Sequence, residues 1–149
     1  MTRIDLLRGR ERLMTNRSEI EQTVRAFYAA RVNDDVDATV KHLAEDVVFE
    51  LNGRGTGVPA LSEVARGKAA VKAVASGLIA TWRFSDFREC SLVIDGERAA
   101  LHWKARVTFR PNGKSEIFDF FDHIQFRDGK IVQVRQNTDT AQAIAMTAA

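Results

Sequence analysis

A carboxylate in the middle of an aromatic strand is the first place in this chain where chemistry is possible. Across Phe118 to Phe126, alternation puts Phe118, Phe120, Asp122, Ile124 and Phe126 on one face, and Asp119, Phe121, His123 and Gln125 on the other. Asp122 thus stands among apolar neighbours, where desolvation raises a carboxyl's pKa and lets it serve as acid, base or neutral hydrogen-bond donor. A structural role, accepting bonds from an arginine or from backbone, competes evenly with that reading. Two further residues can move protons: His42, near the end of a predicted helix, and Glu50, beside Phe49 and Leu51. Plain alternation turns Glu50 away from the apolar set; a one-residue slip would turn it inward.

The elements that position these residues are legible in outline. Ile20, Val24, Phe27, Tyr28 and Val32, then Val36, Val40 and Leu43, recur at helical spacing with a break at Asn33-Asp34-Asp35. That spacing predicts two helices between Ser18 and Leu43, the first capped by Ser18 with Glu21 and the second by Asp34 or Asp35. Val47 to Leu51 reads as a short strand entering a glycine-rich loop from Asn52 through Pro59, and Gly67 to Ala80 as a third helix packed on a sheet. Strands follow over Phe87–Ile94, Ala99–Phe109, Glu116–Phe126 and Ile131–Asn137, joined at Asp95-Gly96, Pro111-Asn112-Gly113 and Asp128-Gly129. Asp-Gly and Asn-Gly between apolar runs are strong hairpin signals, so the second half is an antiparallel meander. Helices first and strands after make an α+β domain, a strongly bent sheet whose helices close a pocket.

Composition narrows the partners. At 149 residues the chain suits one domain at 18–149 after an N-terminal extension at 1–17. With 22 basic and 20 acidic residues giving a net charge of only +2, nucleic acid has little electrostatic purchase. The extension, where Arg3, Arg8, Arg10 and Arg12 mix with Asp5, Glu11 and apolar residues, reads as amphipathic rather than polyanion-binding. The single Cys90 excludes an internal disulfide and is expected to be a small buried residue, and three histidines offer no metal-ligand spacing. No apolar run is long enough for a membrane span or signal core, so a cytoplasmic protein without membrane, nucleic-acid, metal or cofactor partners is expected.

The order of elements, together with Leu43 to Phe49, Gly67, Trp103 to Phe109, Phe126 to Ile131, Val134-Arg135 and Asp139-Thr140, resembles the nuclear-transport-factor-2-like superfamily over about residues 18–141. It is most similar to the ketosteroid-isomerase-related, SnoaL-like members. The resemblance implies a cone-shaped, mostly antiparallel sheet with three N-terminal helices. It also places Asp122 where ketosteroid isomerases carry a protonated aspartic acid in the oxyanion hole, a carboxyl kept neutral by an apolar site. The isomerase's tyrosine donor on the first helix falls at Phe27, with Tyr28 about 100° further round, so that donor is expected to be missing. Its general base falls at Leu51, or at Glu50 with a slip. Ile124 replaces the aspartate of SnoaL-like polyketide cyclases, and Trp103, Ala105 and Gln136 replace the polar set of limonene-epoxide-hydrolase types.

Trp103, Ala105, Val107 and Phe109 share a strand face, which the resemblance turns toward the pocket; Ala105 would leave room for a ligand and Trp103 would wall it. Gln136 and Thr138 on the last strand would add polar contacts, with Phe27, Tyr28, Phe49, Leu51 and Phe120 completing the binding surface. His102, His123 and Phe121 on the opposite face suit a homodimer. The expectation is a cofactor-independent isomerase, cyclase or dehydratase acting on a small hydrophobic cyclic molecule through Asp122 and Glu50 or His42. The competing expectation is a noncatalytic ligand-binding or dimerisation module of the same fold.

Overall fold

The computed structural model describes residues 1–58 and 64–148, the side chains of residues 11–15 excepted. Pro59, where the predicted loop ends, lies outside the described residues. Three helices come early: α1 (Arg3–Val32), α2 (Val36–Val40) and, after strands β1 (Leu43–Leu51) and β2 (Ala65–Arg66), α3 (Lys68–Thr81). Four strands follow, β3 (Trp82–Asp95), β4 (Arg98–Phe109), β5 (Ser115–Arg127) and β6 (Lys130–Thr138), and α4 (Thr140–Thr147) closes. Among the described residues six strands lie in the order β2-β1-β6-β5-β4-β3, with the β1–β6 pairing parallel and the others antiparallel. The sheet curls into an open cone, and the core lies between its inner face and the helices.

Turn chemistry sets the meander. Asp128 and Gly129 both have positive φ, 51° and 77°, the sign pattern of a type I′ hairpin. That turn sets the pairing of Phe126 with Ile131, and a one-residue shift between Gln125 and Phe126 then brings Asp122 opposite Gln136 and Phe120 opposite Thr138. The bend concentrates in β3, whose pairing with β4 slips between Ser85 and Arg88 and again between Glu89 and Ser91, around Asp86 at φ 53°. Such bulges add twist and curve a strand around what it covers.

Several expectations are corrected. The first helix begins at Arg3, capped reciprocally by Thr2 and Asp5, so Ser18 and Glu21 lie inside it and cap nothing. Asp35 caps α2, accepting from Ala38 N at 2.9 Å, but α2 ends at Val40. Leu43 belongs instead to β1, paired with Ile131 across the sheet, which leaves His42 in the connecting turn. Cys90 is exposed, so the expectation of a buried thiol is corrected. α4 was not expected; Asp139 starts it by accepting from Gln142 N at 3.0 Å. Among the described residues no helix is long and apolar enough to cross a membrane.

Candidate functional site

Sheet register assembles the site. Asp122 on β5 lies opposite Gln136 on β6 and Leu101 on β4, and Trp103 is two residues along β4 on the same inner face. Neighbours of this kind are within side-chain reach. α1 supplies the fourth member: Ile20, Val24, Phe27, Tyr28 and Arg31 are all buried and form the stripe the helix turns toward the sheet. Three donors converge on one carboxylate oxygen. Trp103 Nε1 donates to Asp122 Oδ2 at 3.0 Å, Gln136 Nε2 donates to it at 2.9 Å, and the Tyr28 hydroxyl donates to it as well. The other oxygen, Oδ1, is buried without a hydrogen-bond partner among the described residues.

The two oxygens explain the electrostatics. Burial disfavours the charged carboxyl and is the dominant influence; the bonds from Tyr28, Gln136 and Trp103 oppose it, in that order, and the Asn137 backbone N–H adds the weakest downward pull without reaching hydrogen-bond geometry. Asp122 is left with a pKa raised to about 6. Tyr28 is pushed well above its ordinary value, first by burial and then by the Asp122 charge, so its hydroxyl keeps its proton at neutral pH. The rings are fixed in place: Trp103 stacks on Phe120 with centroids 4.0 Å apart and planes 10° off parallel, and meets Tyr28 edge-on at 5.3 Å.

Two small cavities adjoin this network. One, about 30 Å³, is apolar and walled by Trp82, Phe84, Val107, Phe118 and Phe120. The other, about 40 Å³, is bounded by α1 and α3 and reaches Tyr28, Arg31, Thr39 and Phe49. Leu78 and Gln136 border both. Asp122 borders neither; it sits behind Tyr28 and Gln136, which do.

A cone closed by helices, with a buried carboxyl bonded across three strands and a helix, is a fold many unrelated activities share. The profile of the SnoaL-like domain family matches residues 24–134, most of the chain. The chain belongs to the SnoaL-like family. Among solved structures it is similar to an NTF2-like protein of unknown function from Burkholderia pseudomallei, at 26% identity and a TM-score of 0.77, covering 88% of this chain and 98% of that one. It is also similar to a polyketide cyclase candidate from Xanthomonas campestris (22% identity, TM-score 0.73, 89% and 99% covered). A third likeness is to an LEH-like epoxide hydrolase from M. tuberculosis (19%, 0.68, 86% and 90%). No curated protein sequence matches.

Within the SnoaL-like frame, the predicted residues divide. Tyr28, not Phe27, reaches Asp122, because the buried stripe of α1 is wide enough to hold both adjacent rings; the expectation of a missing tyrosine donor is corrected. Phe27 and Phe49 border the larger cavity, and Leu51, Phe120 and Thr138 the smaller. Trp103 and Ala105 border neither, since Phe120 and Tyr28 cover Trp103, whose polar edge is given to Asp122. Glu50 is not brought to the site: alternation in β1 buries Phe49 and Leu51 and turns Glu50 outward, 3.6 Å from Arg135. His42 sits beside Ile131, roughly 16 Å of strand from Gln136. Burial, then Lys41 and Lys130, lower its pKa and keep it neutral.

Exposed pairs such as Glu50–Arg135 contribute little. Glu50→Gln and His42→Asn are therefore each expected to leave ligand affinity and melting temperature nearly unchanged, a result calorimetry reads directly.

Arg31 was missed by sequence reading. It is 8% exposed, donates from Nη2 to the Trp82 carbonyl at 3.2 Å, and places its guanidinium carbon 4.0 Å from the Phe84 ring centroid. The signal was present: Arg31 follows Phe27 and Tyr28 by four and three residues, the spacing that shares a helix face.

Proposed function

We propose that this SnoaL-like protein is a cofactor-independent acid/base catalyst of the isomerase, cyclase or dehydratase kind, acting on a small hydrophobic cyclic molecule, with Tyr28 and Asp122 as its proton relay. The observation that carries this reading is a tyrosine that lines a cavity and whose hydroxyl is bonded to a buried carboxyl, one whose pKa burial raises to about 6. As Tyr28 Oη takes a proton from the ligand, its own proton passes to Asp122 Oδ2. The reverse transfer returns a proton to the same atom or to a neighbouring one. One relay that both takes and gives suits a double-bond shift, and a carboxyl with a pKa near working pH is matched to both directions. Trp103 and Gln136 hold the carboxyl in place, so Asp122 acts through Tyr28 and not on the ligand itself.

The test is deuterium exchange into cyclic β,γ-enones in heavy water, followed by proton NMR. Exchange at the carbon next to the carbonyl, faster than in buffer and lost on Tyr28→Phe, supports the relay. Enones that bind without exchanging would contradict it and would favour a noncatalytic binding module, the reading to which the outward-facing Glu50 and a His42 that lines neither cavity lend support.

We also propose that the protein is a homodimer paired through the outer sheet face. Val93, Ile117 and Phe121 are 59%, 48% and 56% exposed there, amid Lys104, Arg106, Asp86 and Asp119. A face carrying both charge signs around apolar side chains can complement its own copy. Light scattering is expected to give twice the 16.7 kDa chain mass, and Phe121→Glu the monomer mass; a monomeric wild type sinks the idea.

A further inference from the structure

We propose that the two cavities are halves of one chamber parted by Leu78 and Gln136, and that its ligand is a cyclic anion: the ring displaces Leu78 toward the aromatic half while the charged oxygens lie against Arg31. This rests on the reading above that the chamber takes a cyclic ligand, and it adds the ligand's charge and the residue that limits its size.

The charge follows from an imbalance. Arg31 is buried at the cavity wall, and its acidic partner is Asp34, at 3.4 Å from Nη1. Asp34 is shared, because Arg110 Nη2 lies nearer, at 2.9 Å. Among the described residues two guanidiniums therefore meet one carboxylate, and the buried one has the longer contact. Burial lowers the Arg31 pKa to about 10, still far above neutral, so the side chain stays cationic. A buried cation that shares its carboxylate with a second guanidinium favours a further anion beside it, and a guanidinium fork fits a carboxylate in particular. Asp122 does not fill this role, as it lies behind Tyr28 and Gln136 with its paired oxygen taken by three donors.

The size limit follows from volume. Cavities of about 30 and 40 Å³ each hold a water or two, whereas an apolar cavity that binds benzene is about 150 Å³. A ring enters only if the partition yields. Gln136 is held by its bond to Asp122, which leaves Leu78 as the movable half. On the face of α3 that Leu78 shares, Ala75 stands one turn before it and leaves space beside it, while Val74, Thr81 and Trp82 complete its surroundings. The ligand class is thus a compact ring bearing a carboxylate or an equally acidic oxygen.

Calorimetric titration with benzoate and with its neutral counterpart benzamide tests this on the wild type, Arg31→Gln and Leu78→Ala. Wild type is expected to bind benzoate about tenfold more tightly than benzamide. Arg31→Gln is expected to equalise the two, and Leu78→Ala to tighten both about tenfold while keeping their ratio. Equal affinities in the wild type overturn the proposal, as do a preference that survives in folded Arg31→Gln, or no binding by either wild type or Leu78→Ala. If circular dichroism shows Arg31→Gln unfolded, Arg31→Lys replaces it: benzoate affinity should fall several-fold with benzamide unchanged, and an unaltered benzoate affinity overturns the claim. The outcome separates from that of the relay. Loss of enone exchange leaves the benzoate preference in place, and equal affinities for the two probes leave enone exchange in place.

Discussion

Tyr28→Phe is expected to slow proton exchange on a bound cyclic enone by about 10²–10⁴-fold, the usual worth of a positioned acid/base group, with little change in affinity. The substitution removes one oxygen and keeps the ring that packs edge-on to Trp103 at 5.3 Å and to Phe27 at 5.2 Å, so the fold should survive. Among the described residues, loss of the hydroxyl leaves Gln136, whose amide is a poor proton carrier, as the link from Asp122 to the larger cavity. It also removes the strongest of the bonds that hold the Asp122 pKa down, so that pKa should rise further. Stopped exchange with unchanged binding is the signature of a relay. Equal losses of binding and exchange would make Tyr28 a packing residue.

The second large effect is on stability against pH. Asp122 has a folded pKa of about 6 against an ordinary value of 3.8, so between those values the folded state holds a proton that the unfolded state has released. Stability therefore falls as pH rises through that window, and above about pH 6 the penalty is constant. Two units correspond to about 3 kcal/mol. Asp5, Asp46 and Asp119 work the other way, their pKa values being lowered by bonds to Thr2, Arg127 and His102, but they are exposed and act below pH 4. The difference in unfolding free energy between wild type and Asp122→Asn isolates the buried group. Denaturant unfolding should show that difference shifting by about 3 kcal/mol in favour of the Asn variant from pH 4 to pH 7. A difference that stays flat would mean that Asp122 is an ordinary carboxylate.

Much of this was legible in the sequence, for identifiable reasons. Asp-Gly and Asn-Gly turns are local signals, and each hairpin formed where they stood; period-two alternation then put Asp122, Trp103 and Gln136 on one face. What failed depended on distant contacts. Leu43 follows Val40 at helical spacing, yet pairing with Ile131 draws it into β1, and with it His42 leaves the helix. Ser18 and Glu21 look like a cap, yet nothing stops the helix there and Thr2 with Asp5 caps it sooner. Tyr28 was misread by relying on one aligned position where the helix buries two. The imbalance at Arg31 arises from three residues spread over Arg31 to Arg110 and has no local signature.

The central claim, a carboxyl poised to exchange a proton with Tyr28, is tested most directly by carbon-13 NMR titration of the Asp122 carboxyl, assigned by comparison with Asp122→Asn. The account predicts a midpoint of about 6. A midpoint near the ordinary value of about 3.9 would contradict it.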